Sequence, residues 1–310
     1  MNKHPLEDLI TLYLSEKDIK KGTYDFYQGI LKQYTSYLKN QNIIYAQIED
    51  VISYLKRLKE NGYTNAWIHH QMSTIKRFYQ YLSINHQRLG LEAYYAIDIT
   101  ESHKFESRRD KTHKEILTPE QAKHLIITCK ENRRYIWQYR DYAMLYLMLT
   151  TGLRGVEVSR AKKKDLRYVN HELILDVHGK GRDAPDEFIK ITKGVKDAID
   201  DYLNKRKDKN PYLFISHHGR HTKLYINRTF YNRMLIRVLR EVGLSHVKVT
   251  AHALRHTAAT LNLKRGGSME ETKRLLRHSS MSNTLIYAHH LDRYEDHTVS
   301  ELENYILNDE

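Results

Sequence analysis

The chain has 310 residues, 40% hydrophobic and 29% charged, with 13 Gly and 4 Pro, a balance that excludes a disordered or fibrous protein. Its net charge of +13 calls for a polyanionic partner, either nucleic acid or an acidic membrane surface. The single cysteine, Cys129, excludes an intramolecular disulfide framework and a Cys-rich zinc site.

The first residues carry charges where a signal peptide needs an apolar core. The longest apolar run, 142–149, is far short of the ~20 residues that span a bilayer. A soluble, cytoplasmic protein with no membrane partner is expected. The charge is uneven. Residues 1–110 hold 15 Lys and Arg against 13 Asp and Glu, whereas 111–310 hold 36 against 25. Long-range attraction to a polyanion should therefore be strongest in the second part.

Up to residue 85 the apolar spacing is helical throughout. Leu6–Leu14 begins the series, and 23–38 follows with Tyr24, Tyr27, Ile30, Leu31, Tyr34 and Leu38 on one stripe. Segments 51–58 and 67–82 repeat the pattern, giving four short helices. The stretch 103–113 is polar and aperiodic, so it reads as a linker between a domain over 1–102 and one over 114–310. Thr118, Pro119 and Gln121 form a capping box with proline at the first helical position, which opens a new helix over 118–131.

A helix over 136–150 ends where Gly152 can cap it. Segments 172–177 and 187–191 turn β-branched around a 178–183 turn, predicting a hairpin. Helices follow at 193–206, 227–241, 250–264, 269–277 and 282–289, with a weaker helical tail at 291–308. The fold class is mainly α, with a small antiparallel β-hairpin or sheet in the second part.

Several positions carry chemistry-bearing side chains. Arg154 starts a helix just after a glycine break, where it can help hold a phosphate. The competing assignment is an i, i+3 surface pair with Glu157. Lys180 sits between Gly179 and Gly181 at the hairpin tip, in reach of a phosphate or leaving oxygen, or simply in an ordinary turn. His252 and Arg255 are helical neighbours. His252 and His256 have i, i+4 metal-pair spacing, but the glutamate of His-Glu-x-x-His and any cysteine ligand are missing. His278 and Tyr287 lie nine residues apart around a Ser/Asn break. Tyrosine is a competent covalent nucleophile, although in a chain with 24 tyrosines most serve packing.

Taken in order, Arg154, Lys180, His252-x-x-Arg255, His278 and Tyr287 resemble the catalytic set of the tyrosine recombinase (phage integrase) family. The matching segments are Thr-Gly-Leu-Arg-x-x-Glu at 151–157, His-x-Leu-Arg-His-Thr at 252–257, and Leu-x-His followed by Thr-x-x-x-Tyr-x-His at 276–289. Arg277 departs from the pattern by standing where the family has glycine.

The resemblance implies a site-specific recombinase that cuts and rejoins double-stranded DNA through a 3′-phosphotyrosine, for integration and excision or for dimer resolution. Tyr287 would be the nucleophile, with Arg154 and Arg255 clamping the phosphate. Lys180 would protonate the leaving oxygen. His252 and His278 would assist proton transfer, and Glu157 would orient Arg154. Energy stored in the tyrosyl link would make ATP unnecessary, and neither a metal nor a cofactor is implied.

The family also implies a two-domain DNA clamp. Residues 1–102 would be the helical, SAM-like core-site DNA-binding domain, with Lys76 and Arg77 as candidate contacts. Residues 114–310 would form the catalytic domain and its C-terminal tail. The four helices begin almost at Met1, which suggests the compact Xer-like layout. A homotetrameric synapse on two sites, or one shared with a second recombinase subunit, would be the working assembly. Type IB topoisomerase-like relaxation and a non-catalytic helical DNA-binding regulator are the alternatives.

Overall fold

The computed structural model describes residues 4–101, 115–179, 185, 187–217, 226–282 and 284–285. The chain separates into two compact units, Met1–Thr112 and His113–Glu310.

The first unit is built from α1 (Leu6–Ser15), α2 (Lys21–Asn40), α3 (Ile48–Glu60) and α4 (Asn65–Asn85), followed by a 3-10 turn at Ala93–Ala96. Each helix lies where the apolar stripe places it, lengthened by polar residues at its ends. The stripes converge on a core that includes Tyr13, Leu31, Tyr34, Val51, Ile75 and Phe78. Tyrosines bring hydroxyls inside, and several of these find partners, whereas the buried Tyr13 and Tyr95 hydroxyls have none among the described residues. The Tyr34 and Tyr79 hydroxyls share a 3.2 Å bond, and Tyr54 donates to Gln71 Oε1 at 3.0 Å. Gln71 in turn donates to Gln33 at 2.7 Å, so this buried polar chain carries little desolvation penalty.

The second unit is organised around α6 (Ile136–Thr151), whose Met144, Leu145, Leu147 and Met148 are fully buried. Helices α5 (Pro119–Glu131), α8 (Lys193–Lys205) and α10 (Ala251–Lys264) pack on it. The capping box that opens α5 forms as the sequence dictates: Gln121 N–H donates to Thr118 Oγ1 at 3.2 Å, and Thr118 N–H to Gln121 Oε1 at 3.0 Å. Three further helices complete the described part: α7 (Gly155–Arg160), α9 (Arg228–Glu241) and α11 (Met269–Leu276).

The expected hairpin is part of a three-stranded antiparallel sheet. Strand β2 (Glu172–Val177) pairs with β3 (Glu187–Lys190) and also with β1 (Leu166–Val169), a strand the periodicity missed. Leu166 lies opposite Leu175, which lies opposite Ile189. The turn joining β1 and β2 explains the omission. Asn170 and His171 both adopt positive φ, 48° and 66°, as a two-residue hairpin turn requires. The usual glycine signal is absent there.

The turn expected at 178–183 lies mostly outside the described residues, as do the 291–308 tail and most of the 282–289 helix. Among the described residues no helix is long and apolar enough to cross a membrane.

Candidate active site

Three chain segments meet at one end of α6. The first is the exit from α6 itself. Gly152 caps that helix in a left-handed conformation, φ +61°, with its N–H donating to Met148 O at 3.0 Å. A Cβ at this position would stand 2.9 Å from Leu276 Cδ2, so the glycine also lets α11 approach. Two residues later Arg154 is the N-cap of α7. Glu157 holds it twice: Oε2 accepts the Arg154 backbone N–H at 2.7 Å, and Oε1 accepts from Nη1 at 2.8 Å. The i, i+3 pair therefore exists, but not as a solvated surface pair. The Glu157 side chain is 2% exposed, whereas that of Arg154 is 36% exposed.

The second segment is the start of α10, capped by Thr250, whose Oγ1 accepts from Ala253 N–H at 3.2 Å. His252 is exposed on the first turn, while Arg255 is 1% exposed. Arg255 donates Nη1 to Gly152 O and Nη2 to Leu276 O, both at 2.5 Å. One guanidinium thus ties the C-terminal carbonyls of α6 and α11 together, and sequence spacing gave no sign of this structural duty.

The third segment is the exit from α11. This helix opens on a capping box between Ser268 and Glu271 and ends on Arg277, which is left-handed at φ 53°, ψ 48°. A non-glycine residue there costs roughly 1–2 kcal/mol of backbone energy. Its guanidinium donates to Leu275 O at 3.1 Å and to Glu157 Oε2 at 3.0 Å, and its side chain is 8% exposed. His278 follows, its Nδ1 2.9 Å from Thr284 Oγ1.

Electrostatics places these groups in one neighbourhood. Burial, then the charges of Arg255, Arg154 and Arg277 and the neighbouring His252, lower the His278 pKa from 6.5 to about 4. The imidazole is therefore neutral at pH 7. Since the folded-state value lies below the unfolded one, this group stabilises the fold above about pH 6.5, and the contribution is lost as pH falls through about 4. Thermal melts of wild type and His278→Gln should agree near pH 7.5. Towards pH 4.5 the wild type should lose melting temperature faster, and parallel curves would refute the shift.

The structure thus brings together Arg154, His252, Arg255 and His278. Lys180 and Tyr287 lie outside the described residues. The two residues before Lys180 are described: Asp165 Oδ2 lies 3.1 Å from His178 Nε2, and Arg160 of α7 donates to Gly179 O at 3.4 Å. These anchors, like Thr284 and the second partner of Glu157, emerge only from tertiary contacts.

His252 and His256 pack edge to face, with ring centroids 4.5 Å apart. Among the described residues no group of three or more His, Cys, Asp or Glu is placed to hold a metal ion. Burial pushes the Cys129 thiol up to about 12, leaving it an inert core group. In the first unit, Arg77 is exposed and donates to Tyr27 Oη at 2.6 Å. Lys76 is half-buried and reaches the Thr100 carbonyl at 3.4 Å.

A basic, mostly helical protein that gathers Arg154, Arg255, Arg277, His252 and His278 in one neighbourhood has the form of a tyrosine recombinase. More particularly, the chain belongs to the phage integrase family: the model described as "Phage integrase family" matches residues 115–293, and that described as "Phage integrase, N-terminal SAM-like domain" matches 7–85. It is accordingly a site-specific tyrosine recombinase by class.

Similar curated proteins include tyrosine recombinase XerD of Oceanobacillus iheyensis, 25% identical over 93% of this chain and 94% of the relative. Tyrosine recombinase XerA of Pyrococcus horikoshii is 29% identical over 93% and 89%. Among solved structures, the Tn1549 transposon integrase in complex with transposon right end DNA shares the fold, with TM-score 0.70 and 18% identity over 96% of this chain and 98% of that one. XerH site-specific recombinase bound to palindromic difH substrate gives TM-score 0.69 and 18% identity over 91% and 79%.

Proposed function

We propose that Tyr287 attacks a scissile DNA phosphate, forming a 3′-phosphotyrosine and releasing a 5′-hydroxyl, and that Arg154 and Arg255 bind the non-bridging oxygens. Lys180 gives the leaving oxygen its proton, and His252 and His278 hydrogen-bond the reacting groups. Energy held in the tyrosyl ester then drives rejoining to a second strand. The observation that supports this most directly is the convergence of Arg154, Arg255 and His278 at the joined ends of α6 and α11.

A phosphodiester carries the charge that such a cluster lacks. Two arginines placed on its oxygens neutralise the charge that builds on the phosphorane, and arginine's planar fork suits this task. A free tyrosine, with pKa near 10, is about one part in a thousand phenolate at pH 7, so the same cations also lower the cost of the nucleophile. Burial does most to lower the His278 pKa, and the phosphate's negative charge would offset the arginines that add to it, moving the pKa back up and readying it for proton transfer in the bound complex.

Double-stranded DNA is the proposed substrate. Residues 1–102 would bind the core site, Arg77 offering the more exposed contact and Lys76 the more restrained one. A tetrameric synapse on two sites would be the active assembly. Because the basic excess belongs to 111–310, affinity should fall steeply with salt through counterion release.

The test is covalent trapping on nicked suicide duplexes cut from DNA flanking the gene, together with pooled random duplexes. Wild type should give a DNA-shifted band on a denaturing gel, and Tyr287→Phe should give none. Tight, salt-sensitive binding by wild type with no adduct on any duplex would overturn the proposal in favour of a non-catalytic DNA-binding regulator.

A further inference from the structure

We propose that Arg277 is a positioning residue for strand transfer: its guanidinium offsets the buried Glu157 carboxylate, so that Arg154 keeps an uncancelled positive charge for the phosphate. The inference rests on the recombinase function proposed above and concerns a residue that departs from the family's own pattern.

The geometry is a three-membered chain of charges. Glu157 Oε1 accepts Arg154 Nη1 at 2.8 Å, while Oε2 accepts both the Arg154 backbone N–H and Arg277 Nη2, the latter at 3.0 Å. Taken alone, Arg154 and Glu157 form a pair with no net charge, and an incoming phosphate must compete with a carboxylate already on the guanidinium. Arg154 is partly exposed, but the Glu157 and Arg277 charges behind it are buried and poorly screened, so the carboxylate competes effectively. Adding Arg277 makes the group net positive. Glu157 then still fixes the Arg154 rotamer without neutralising its charge.

Two further features argue against a decorative surface arginine. Its side chain is 8% exposed and burial pushes its pKa below the ordinary arginine value, so it is held where its charge is costly. It also occupies a left-handed backbone position, which glycine would take without strain. The groups that face it are Glu157 of α7, the N-cap residue Arg154, Glu187 of β3 and the neighbouring His278.

The glycine preference supplies the test. In the 310-residue chain, Arg277→Gly removes the charge and relieves the backbone while Glu157 keeps Arg154 as a partner, so its melting temperature should stay close to that of wild type. Its affinity for the duplex should stay within about twofold, since most binding charge lies elsewhere. Single-turnover cleavage of the suicide duplex should fall about tenfold or more, the factor that corresponds to roughly 1.4 kcal/mol of lost transition-state stabilisation. Arg277→Lys, which keeps the charge, should recover much of that loss, and Arg277→Gln should not.

A wild-type cleavage rate in Arg277→Gly, or a loss that Arg277→Lys shares in full, would overturn the proposal. Failure of wild type itself to form an adduct would instead count against the recombinase function. Arg277 would then be judged by NMR titration of His278, which needs no catalysis. An upward shift in Arg277→Gln supports the charge role, and an unchanged titration overturns it.

Discussion

Arg255→Ala is expected to cost the protein both its chemistry and its stability. Cleavage should fall at least ~10²-fold, by analogy with the loss of a single transition-state donor. Stability should fall by roughly 3 kcal/mol or more, because two charge-assisted bonds to the Gly152 and Leu276 carbonyls disappear and the carbonyls stay buried. Arg255→Lys should fare little better, since an ammonium cannot span both carbonyls as a fork does. Arg154→Ala is the informative contrast. Its side chain is 36% exposed, and Glu157 retains Arg277 as a partner, so cleavage should drop by a similar factor with little change in the denaturation midpoint. Urea unfolding beside suicide-substrate cleavage separates the two arginines. Equal stability losses would refute the division of duties.

Glu157→Ala should be strongly destabilising. It strips the carboxylate from a guanidinium that is 8% exposed and leaves the Arg154 backbone N–H without its acceptor. Breaking a buried pair on one side costs about 3–5 kcal/mol. Removing Arg277 as well should return a good part of that, because no unpaired cation is then left inside. A double-mutant cycle over Glu157→Ala and Arg277→Gly should give a coupling of roughly 0.5–3 kcal/mol. Strict additivity would mean the ion pair contributes nothing.

The helices were largely legible in the sequence because their evidence is local. The stripe from Tyr24 to Leu38, the Thr118–Pro119–Gln121 box and the Gly152 stop each depend on residues within a turn or two. Strand β1 was not, since its Asn170–His171 turn lacks glycine and its four residues are too few for a period. The arginines and histidines of the site were legible as types in a familiar order. Their physical circumstances were not. That Arg255 is buried, that Glu157 has two cations and that His278 is neutral follow from contacts across 21 to 120 residues of sequence. Arg277 stood out as a departure from the pattern, but only its left-handed backbone and its partner give it a role.

The tyrosine-rich interior described for the first unit has a consequence for chemical specificity. Burial pushes the phenols of Tyr13, Tyr94 and Tyr95 up to about 12, and raises those of Tyr34, Tyr54 and Tyr79 as well. Tyr202 and Tyr231 of the second unit are raised in the same way. None of these can supply phenolate near neutral pH or reach a phosphate from inside a core. A chain rich in one amino acid thus keeps much of its supply chemically silent, and an electrophile passing over the folded surface meets far fewer competent phenols than the composition suggests.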